Sequence, residues 1–201
     1  MTTCLRFALF VLAWSSLPVP GDQGPGPKPD AKQLEKLWDE LASDDAAQAF
    51  KAMGQMAGVP AETTALLKAK LKAVDPADPK VLQKLLEDLN SDQYNVRQKA
   101  SVQLEKLADL AGPALREKLD AKPSLEMRKR IEALIDKLDG PVTLPELLRS
   151  LRAVELLELI GTPETRQVLE PLAKGAPGHR FTEAAQGAVT RLDKRLKAAP
   201  K

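Results

Sequence analysis

A spaced set of apolar residues occurs three times along this chain, and it constrains the fold more than any other feature. Each copy has the spacing Ala-x3-Met-x2-Met, or its Leu and Ile equivalent, then a proline, then a leucine six residues after the proline. Apolar residues three and four apart fall on one face of an α-helix, and proline suits the first turn of a helix. The pattern therefore predicts three helix–corner–helix units. The copies are Ala49, Met53, Met56, Pro60 and Leu66; Ala100, Leu104, Leu107, Pro113 and Leu119; and Ala153, Leu157, Ile160, Pro163 and Leu169.

A further helix follows each copy, at residues 82–89, 131–138 and 185–192. The copies begin about 51 to 53 residues apart, and helical self-similarity at a nearly fixed period is typical of an α-solenoid. We therefore predict an all-α solenoid over residues 30–198. It has about ten helices, in three three-helix units behind an N-terminal capping helix at 31–42. A compact helical bundle is the alternative architecture.

The composition agrees with helices that pack through aliphatic side chains. Hydrophobic residues make up 43% of the chain and aromatic residues only 3%, so Leu, Ala, Val and Ile must fill the core. We expect Ala46 and Phe50 to share the inward face of the second helix with the repeat residues. The net charge of +2 gives no overall electrostatic reason to expect a nucleic acid or an anionic membrane as a partner. The single cysteine, Cys4, lies close to the N-terminus, so the predicted domain contains no disulfide and no thiolate nucleophile.

The first 20 residues have the pattern of an export signal. Arg6 precedes an apolar run from Phe7 to Trp14, which SSLPVPG follows. The run is shorter than the roughly 20 residues that a membrane-spanning helix needs, which favours a cleaved signal peptide at 1–20. The glycines and prolines of GDQGPGPKPD then predict an extended linker at 21–29. We expect an exported protein, periplasmic or secreted; an uncleaved membrane anchor and a mis-assigned start codon are the alternatives.

The segment LEDLNSDQYNVRQKASVQLEKL, from Leu86 to Leu107, resembles a HEAT repeat. It has an acidic turn followed by Val-Arg-x-x-Ala-x-x-x-Leu, which begins at Val96. The segment RAVELLELIGTPETRQVLEPLAKGAP is also similar to a HEAT-like module of bacterial proteins that is often appended to β-propeller repeats. The resemblance implies a HEAT-like α-solenoid that binds or scaffolds other proteins without a defined reaction. It also implies that Asp92 and Arg97 occupy the turn-aspartate and helix-arginine positions that form a stacking ladder in HEAT repeats.

No combination of residues predicts a catalytic, metal or cofactor site. His179 is the only histidine, and without a cysteine in the domain it cannot assemble an ordinary zinc site. We expect it in a solvated turn before a helix that Thr182 caps; acid–base work with Glu183 is the alternative. The paired carboxylates lie on predicted turns or exposed helix faces, where we interpret Asp44 and Asp78 as helix caps. These pairs are Asp44 with Asp45, Asp75 with Asp78, Asp88 with Asp92, and Glu155 with Glu158.

Basic residues form two groups, Arg128 to Arg130 and Arg149 with Arg152. A helical repeat can grip DNA phosphates along such a face, but the acidic neighbours and the scarcity of aromatic residues favour a solvated, salt-bridged surface. Solenoids present an extended concave surface on which they bind segments of their partners. The candidate contributors to that surface are Gln48, Lys51, Gln98, Gln103, Arg152 and Glu155.

The corner Gly161-Thr162-Pro163-Glu164 is the sharpest turn that the repeat predicts. Gly161 suits a left-handed helix end, Thr162 a helix cap, and Pro163 the first helical position. A helix start attracts anions. Glu164 already places a negative charge there, which argues against a bound anion.

Together these observations predict a non-catalytic protein-interaction or scaffold module of the bacterial cell envelope, with a protein partner and no cofactor. The alternatives are an accessory or regulatory subunit of an enzyme, a degenerate helical-repeat enzyme, and, for a chain that is not exported, a nucleic-acid-binding helical repeat. We expect no nucleic-acid partner and no stable membrane insertion after signal cleavage.

Overall fold

The computed structural model describes residues 28–198, and within them every regular element is a helix. The predicted all-α fold class is therefore confirmed. None of the helices in this part of the chain combines the length and the apolar character needed to cross a bilayer. The predicted signal peptide at 1–20 and most of the predicted linker at 21–29 lie outside the described residues. The helices are α1 (Ala31–Glu40), α2 (Ala46–Ala57), α3 (Pro60–Lys70), α4 (Pro79–Leu89), α5 (Tyr94–Leu107), α6 (Gly112–Asp120), α7 (Leu125–Leu138), α8 (Pro145–Ile160), α9 (Pro163–Leu172) and α10 (Arg180–Ala198), with a short 3-10 turn at Ala108–Ala111.

Helix capping agrees with the sequence analysis at α4 and differs from it at α2. Asp78 accepts a hydrogen bond from the N–H of Lys80 at 2.9 Å at the start of α4, as predicted. The prediction for α2 is wrong, because Asp45 rather than Asp44 accepts from the N–H of Ala47, at 2.8 Å. Either carboxylate could satisfy the unpaired N–H groups of the first turn, so the local sequence alone does not separate the two positions.

Most positions of the repeated apolar pattern face the protein interior. Two of the three prolines begin a helix, and Pro113 follows the first residue of α6, so all three predicted corners occur. The inward face predicted for α2 is partly wrong, since Ala46 is exposed and Phe50 is 78% exposed. Ala52 is buried instead, because it completes the stripe that the repeat residues of α2 form at helical spacing.

The helices enclose two separate hydrophobic cores. The first is built by α1–α3 together with α8–α10, and we call these six helices the terminal unit. The second is built by α4–α7 with the 3-10 turn, and we call these the middle unit. The large, fully buried side chains are Leu41, Met56, Leu67, Leu156, Leu157, Leu169 and Leu192 in the terminal unit, and Leu89, Leu104, Leu115 and Ile131 in the middle unit.

This grouping of helices differs from the three units in chain order that the repeat predicts. In a solenoid each unit packs on its neighbour in sequence, whereas here α2 packs on α8 and α3 packs on α9. The helix α4, expected to close the first unit, packs on α5 instead. The connector at residues 71–78 is not helical, and Pro76 and Pro79 prevent α3 from continuing into α4. The chain therefore leaves the terminal unit after α3 and returns to it at α8.

Two arginines of α8 attach that helix to the end of α1. Arg152 donates from Nη1 to the backbone carbonyls of Leu41 and Ser43, each at 2.6 Å. The guanidinium of Arg149 lies over the ring of Trp38, 4.9 Å from its centroid. The last carbonyls of a helix have no partner within the helix, so Arg152 completes the end of α1 from a position more than 100 residues later in the chain.

Candidate functional site

An open groove lies between α1 and α2 on the surface of the terminal unit. It encloses about 890 Å³ and begins at Lys28 and Pro29, just before α1. Leu37 and Val59, both buried, form its floor. We call this space the α1–α2 groove. Its polar walls are Gln33, Lys36 and Glu40 from α1, and Gln48, Lys51 and Gln55 from α2.

Helical spacing arranges these polar side chains along the α1–α2 groove. On each helix the polar residues are three or four positions apart, so they form a polar stripe next to the stripe of buried apolar residues. The charges are Lys28, Lys36 and Lys51 against Glu40, which pairs with Lys36 at 3.7 Å. Positive charge therefore exceeds negative charge on its walls. At Gly54 a Cβ atom would meet nothing within 4 Å, so the α2 side of the groove is open.

The residues expected on one concave surface do not lie together. Gln48 and Lys51 line the α1–α2 groove. Gln98 and Gln103 are exposed on α5, in the middle unit. Arg152 is bound to the end of α1, and Glu155 faces a different groove, between α8 and α10. The chain-order solenoid would have aligned these positions, and the observed grouping of helices separates them.

A second site, which the sequence analysis did not find, lies where the two units meet. The carboxylate of Asp109, in the 3-10 turn, is only 5% exposed and accepts from Nε of Arg180 at 3.1 Å and from the backbone N–H of the same residue at 3.2 Å. Arg180 also donates from Nη1 to the carbonyl of Gly140 at 3.0 Å. The two side chains are 71 positions apart and belong to no motif, so no local signal could have paired them.

His179 precedes α10 beside this ion pair. Its Nδ1 accepts a hydrogen bond from the N–H of Phe181 at 3.2 Å, so the imidazole caps the helix as a neutral side chain. Burial lowers the pKa of His179 below its ordinary value of 6.5, and the neighbouring carboxylate of Asp109 only partly opposes this. The expected cap, Thr182, is instead buried inside the first turn of α10, where its hydroxyl has no hydrogen-bond partner among the described residues.

Several carboxylates of the terminal unit form structural ion pairs. Glu158 accepts from Nε and Nη2 of Arg191 at 2.6 and 2.7 Å, and these hydrogen bonds hold the pKa of Glu158 below its usual value. Arg166 is bound by both Asp193 and Glu170, and its hydrogen bond lowers the pKa of Asp193. Such pairs join α8 to α10 and α9 to α10. Within residues 28–198 no three His, Cys, Asp or Glu side chains are arranged to hold a metal ion.

The basic residues of α7 and α8 are largely engaged with the protein itself. Arg130 pairs with Glu126 one turn earlier on α7. The side chain of Arg149 is only 15% exposed, and its guanidinium contacts the ring of Trp38. The same guanidinium pairs with two carboxylates, one of which is that of Asp39 at 3.4 Å. These contacts agree with the salt-bridged interpretation of the two basic groups rather than with a phosphate-binding face.

The turn between α4 and α5 is held by Arg97, but not through the carboxylate of Asp92 that the sequence resemblance implies. Arg97 donates from Nη1 to the backbone carbonyls of Ser91 and Asp92, at 2.9 and 2.8 Å. The contact therefore completes the turn itself, because free carbonyls follow the end of α4. The guanidinium also lies 5.9 Å from the ring centroid of Tyr94.

The corner between α8 and α9 has the predicted geometry at each position. Gly161 ends α8 with φ of 71° and ψ of 23°, and Pro163 begins α9. Thr162 caps α9 by accepting from the N–H of Thr165 at 3.3 Å. Hydrogen bonds from its own N–H and from the hydroxyl of Thr162 lower the pKa of Glu164. The helix start is thus occupied by the protein's own carboxylate.

Comparisons extend these observations no further. No protein-family model, no curated protein and no solved structure matches this chain. Two features of the fold therefore bear on the function: the α1–α2 groove and the contact between the units.

Proposed function

We propose that this protein is a non-catalytic protein-interaction module, and that the α1–α2 groove binds an extended, acidic segment of a partner protein. The observation that carries the proposal is the lining of that groove. The groove is open to solvent and edged by amide and ammonium groups at regular helical spacing.

The chemistry of the lining fits an extended polypeptide. The side-chain NH₂ groups of Gln33, Gln48 and Gln55 each offer two N–H donors. The side-chain carbonyl oxygens of Gln33 and Gln48 already accept from the N–H of Asp30 at 2.9 Å and from the hydroxyl of Ser43 at 3.0 Å, and each retains a second lone pair. An extended segment has unpaired backbone N–H and C=O groups along its whole length, which such amides can satisfy. The excess of lysines on the walls favours carboxylates on the segment and increases its rate of association.

Phe50, which lies on α2 one turn before Gly54, also supports the proposal. Its ring is 78% exposed, and burial of an aromatic side chain contributes strongly at protein interfaces. On a helix, Phe50 and Gly54 are four residues apart and lie on the same side. A partner segment that fills the groove can therefore leave it across Gly54 and cover the ring of Phe50.

We further propose that the module is of the HEAT-like type and acts as a scaffold in the cell envelope, exported behind residues 1–20. The packing of α4 against α5, which follow one another in the chain and carry the HEAT-like sequence that ends at Leu107, supports the first part, because pairs of packed helices are the units of such repeats. The apolar run from Phe7 to Trp14 supports export.

The test is a binding measurement with labelled peptides of about ten residues, extended and rich in Asp and Glu, set against neutral and basic peptides of equal length. We expect the acidic peptides to bind the wild-type protein more tightly at low salt, with an affinity that falls as salt rises. The double substitution Lys36→Glu and Lys51→Glu reverses two charges of the groove. It should weaken binding by about tenfold or more, which corresponds to about 1.4 kcal/mol.

The matched control reverses two lysines outside the groove, Lys68→Glu on α3 and Lys129→Glu on α7, both of them exposed. This variant has the same net charge as the groove variant. Equal weakening in the two variants would show non-specific attraction and contradict the proposal. Tighter binding of single-stranded DNA than of acidic peptides would favour the nucleic-acid alternative instead.

A further inference from the structure

The terminal and middle units are covalently joined only by two non-helical connectors, residues 71–78 and 139–144. Each unit has its own hydrophobic core, and no buried residue belongs to both. Proline and glycine interrupt both connectors, at Pro76 and at Gly140-Pro141. Neither connector therefore transmits a helix from one unit to the other. The first part of residues 71–78 belongs to the terminal unit, because Leu71 is buried in its core and the carbonyl of Val74 accepts from the N–H of Ala176 at 2.7 Å.

The contact between the units is made of a few specific interactions. Asp109 of the middle unit binds Arg180 of the terminal unit, and Arg180 also binds the carbonyl of Gly140 in the second connector. Gly178, with φ of 75°, lies so close to Pro113 that an added Cβ would come within 2.5 Å of the proline ring.

Two clefts that are open to solvent flank the remainder of the contact. A space of about 470 Å³ lies on the terminal-unit side of the ion pair, and one of about 240 Å³ lies on the middle-unit side. Both are lined by Ala108, Leu144, Leu147 and Arg180. Side chains that face each other across such a cleft lack the dispersion contacts that a packed interface would make. The units are therefore joined far less tightly than the helices within each core.

We propose that the middle unit undocks from the terminal unit as a rigid body, with the Asp109–Arg180 pair as its latch. Undocking moves the middle unit about the two connectors and exposes the apolar walls of the two spaces, while both cores remain intact. The latch lies at the junction itself, where one guanidinium holds the 3-10 turn and the second connector together. Locally open states of this kind lie between the native and the fully unfolded state in free energy.

The electrostatics make the latch sensitive to loss of either partner. The carboxylate of Asp109 is buried when docked, so removing the guanidinium leaves an uncompensated buried charge. Undocking returns that carboxylate to water. The substitution Arg180→Met retains most of the aliphatic stem and removes the charge, so it should favour the undocked state.

Hydrogen exchange followed by mass spectrometry on the full-length chain tests the proposal. In the R180M variant we expect exchange to accelerate by about tenfold or more at residues 108–112, 136–140 and 179–182, which contain backbone N–H groups that are hydrogen-bonded at or beside the latch. The central turns of α5 and of α8 should exchange as in the wild type, because each lies in its own core. Asp109→Asn, a near-isosteric change, should accelerate the same three segments and keeps the test valid if R180M folds poorly.

The matched control is Arg191→Met, on the same helix α10, which removes an arginine that pairs with Glu158 inside the terminal unit. It should leave the exchange of all three segments unchanged. Equal acceleration in R180M and R191M would overturn the latch, as would uniform acceleration across α5, α8 and the three segments, since that pattern indicates global unfolding.

Discussion

Leu157→Ala tests the core of the terminal unit most directly. Leu157 lies on α8, and its side chain is fully buried. It shares one core with residues of α1–α3, which precede the middle unit in the chain, and of α8–α10, which follow it. The substitution removes three carbon atoms, and at about 0.8 kcal/mol for each buried CH₂ group the lost transfer free energy is about 2.4 kcal/mol. The cavity left behind adds about 1 kcal/mol for each 40 Å³ that the neighbours do not fill. We therefore expect the free energy of unfolding to fall by about 3–4 kcal/mol.

The assay is urea denaturation followed by the fluorescence of Trp38, which is buried in the same core. Trp14→Phe in every sample makes Trp38 the only tryptophan. The matched control is Leu159→Ala, two residues further along α8 and 59% exposed, which should change stability by less than about 0.5 kcal/mol. A loss below about 0.5 kcal/mol for Leu157→Ala, or equal losses in the two variants, would refute both the repeat alignment and the assignment of α8 to this core.

Two further predictions concern how residues at the starts of α2 and α10 contribute to the free energy of unfolding. Asp45→Ala should lower the free energy of unfolding by about 1 kcal/mol because it removes the cap of α2. Asp44→Ala, its neighbour and control, should cost less than about 0.5 kcal/mol by the same denaturation assay, and equal losses would contradict the assignment. The third prediction concerns pH. Burial lowers the pKa of His179 in the folded chain below 6.5, so the unfolded chain binds more protons than the folded chain near that pH. The free energy of unfolding should therefore fall as the pH decreases from about 7.5 to 5.5. His179→Asn keeps a capping acceptor but does not titrate, and it should flatten this pH dependence; an unchanged slope in the variant would exclude His179 as its source.

Much of the secondary structure could be predicted because it depends on short-range physical chemistry. The corner at Gly161 and Pro163 follows from the backbone preferences of glycine and proline, and the cap of α4 follows from the carboxylate of Asp78. The inward stripes follow from the 3.6-residue period. Phe50 departs from its predicted position because it lies next to Ala49 on α2, about 100° around the helix and outside the buried stripe.

The candidate sites could be predicted only in part. Gln48 and Lys51 do line the α1–α2 groove, since neighbouring polar residues at helical spacing share a face. Arg152 was expected at a surface and is instead bound to the end of α1, because the helix that it contacts lies more than 100 residues away in sequence. The spacing of charges along one helix contains no information about such a partner.

The sequence by itself thus determined which segments are helical, where the chain turns, and which residues of each helix are apolar, since these depend on neighbours within a few positions. Only the tertiary structure decided that α1–α3 share a core with α8–α10 and that α4–α7 form a second one. Every helix carries an apolar stripe, and stripes rich in leucine can pack against one another in many combinations. The choice among those combinations depends on contacts such as that of Arg152 with the carbonyls of Leu41 and Ser43, which form only when distant parts of the chain meet.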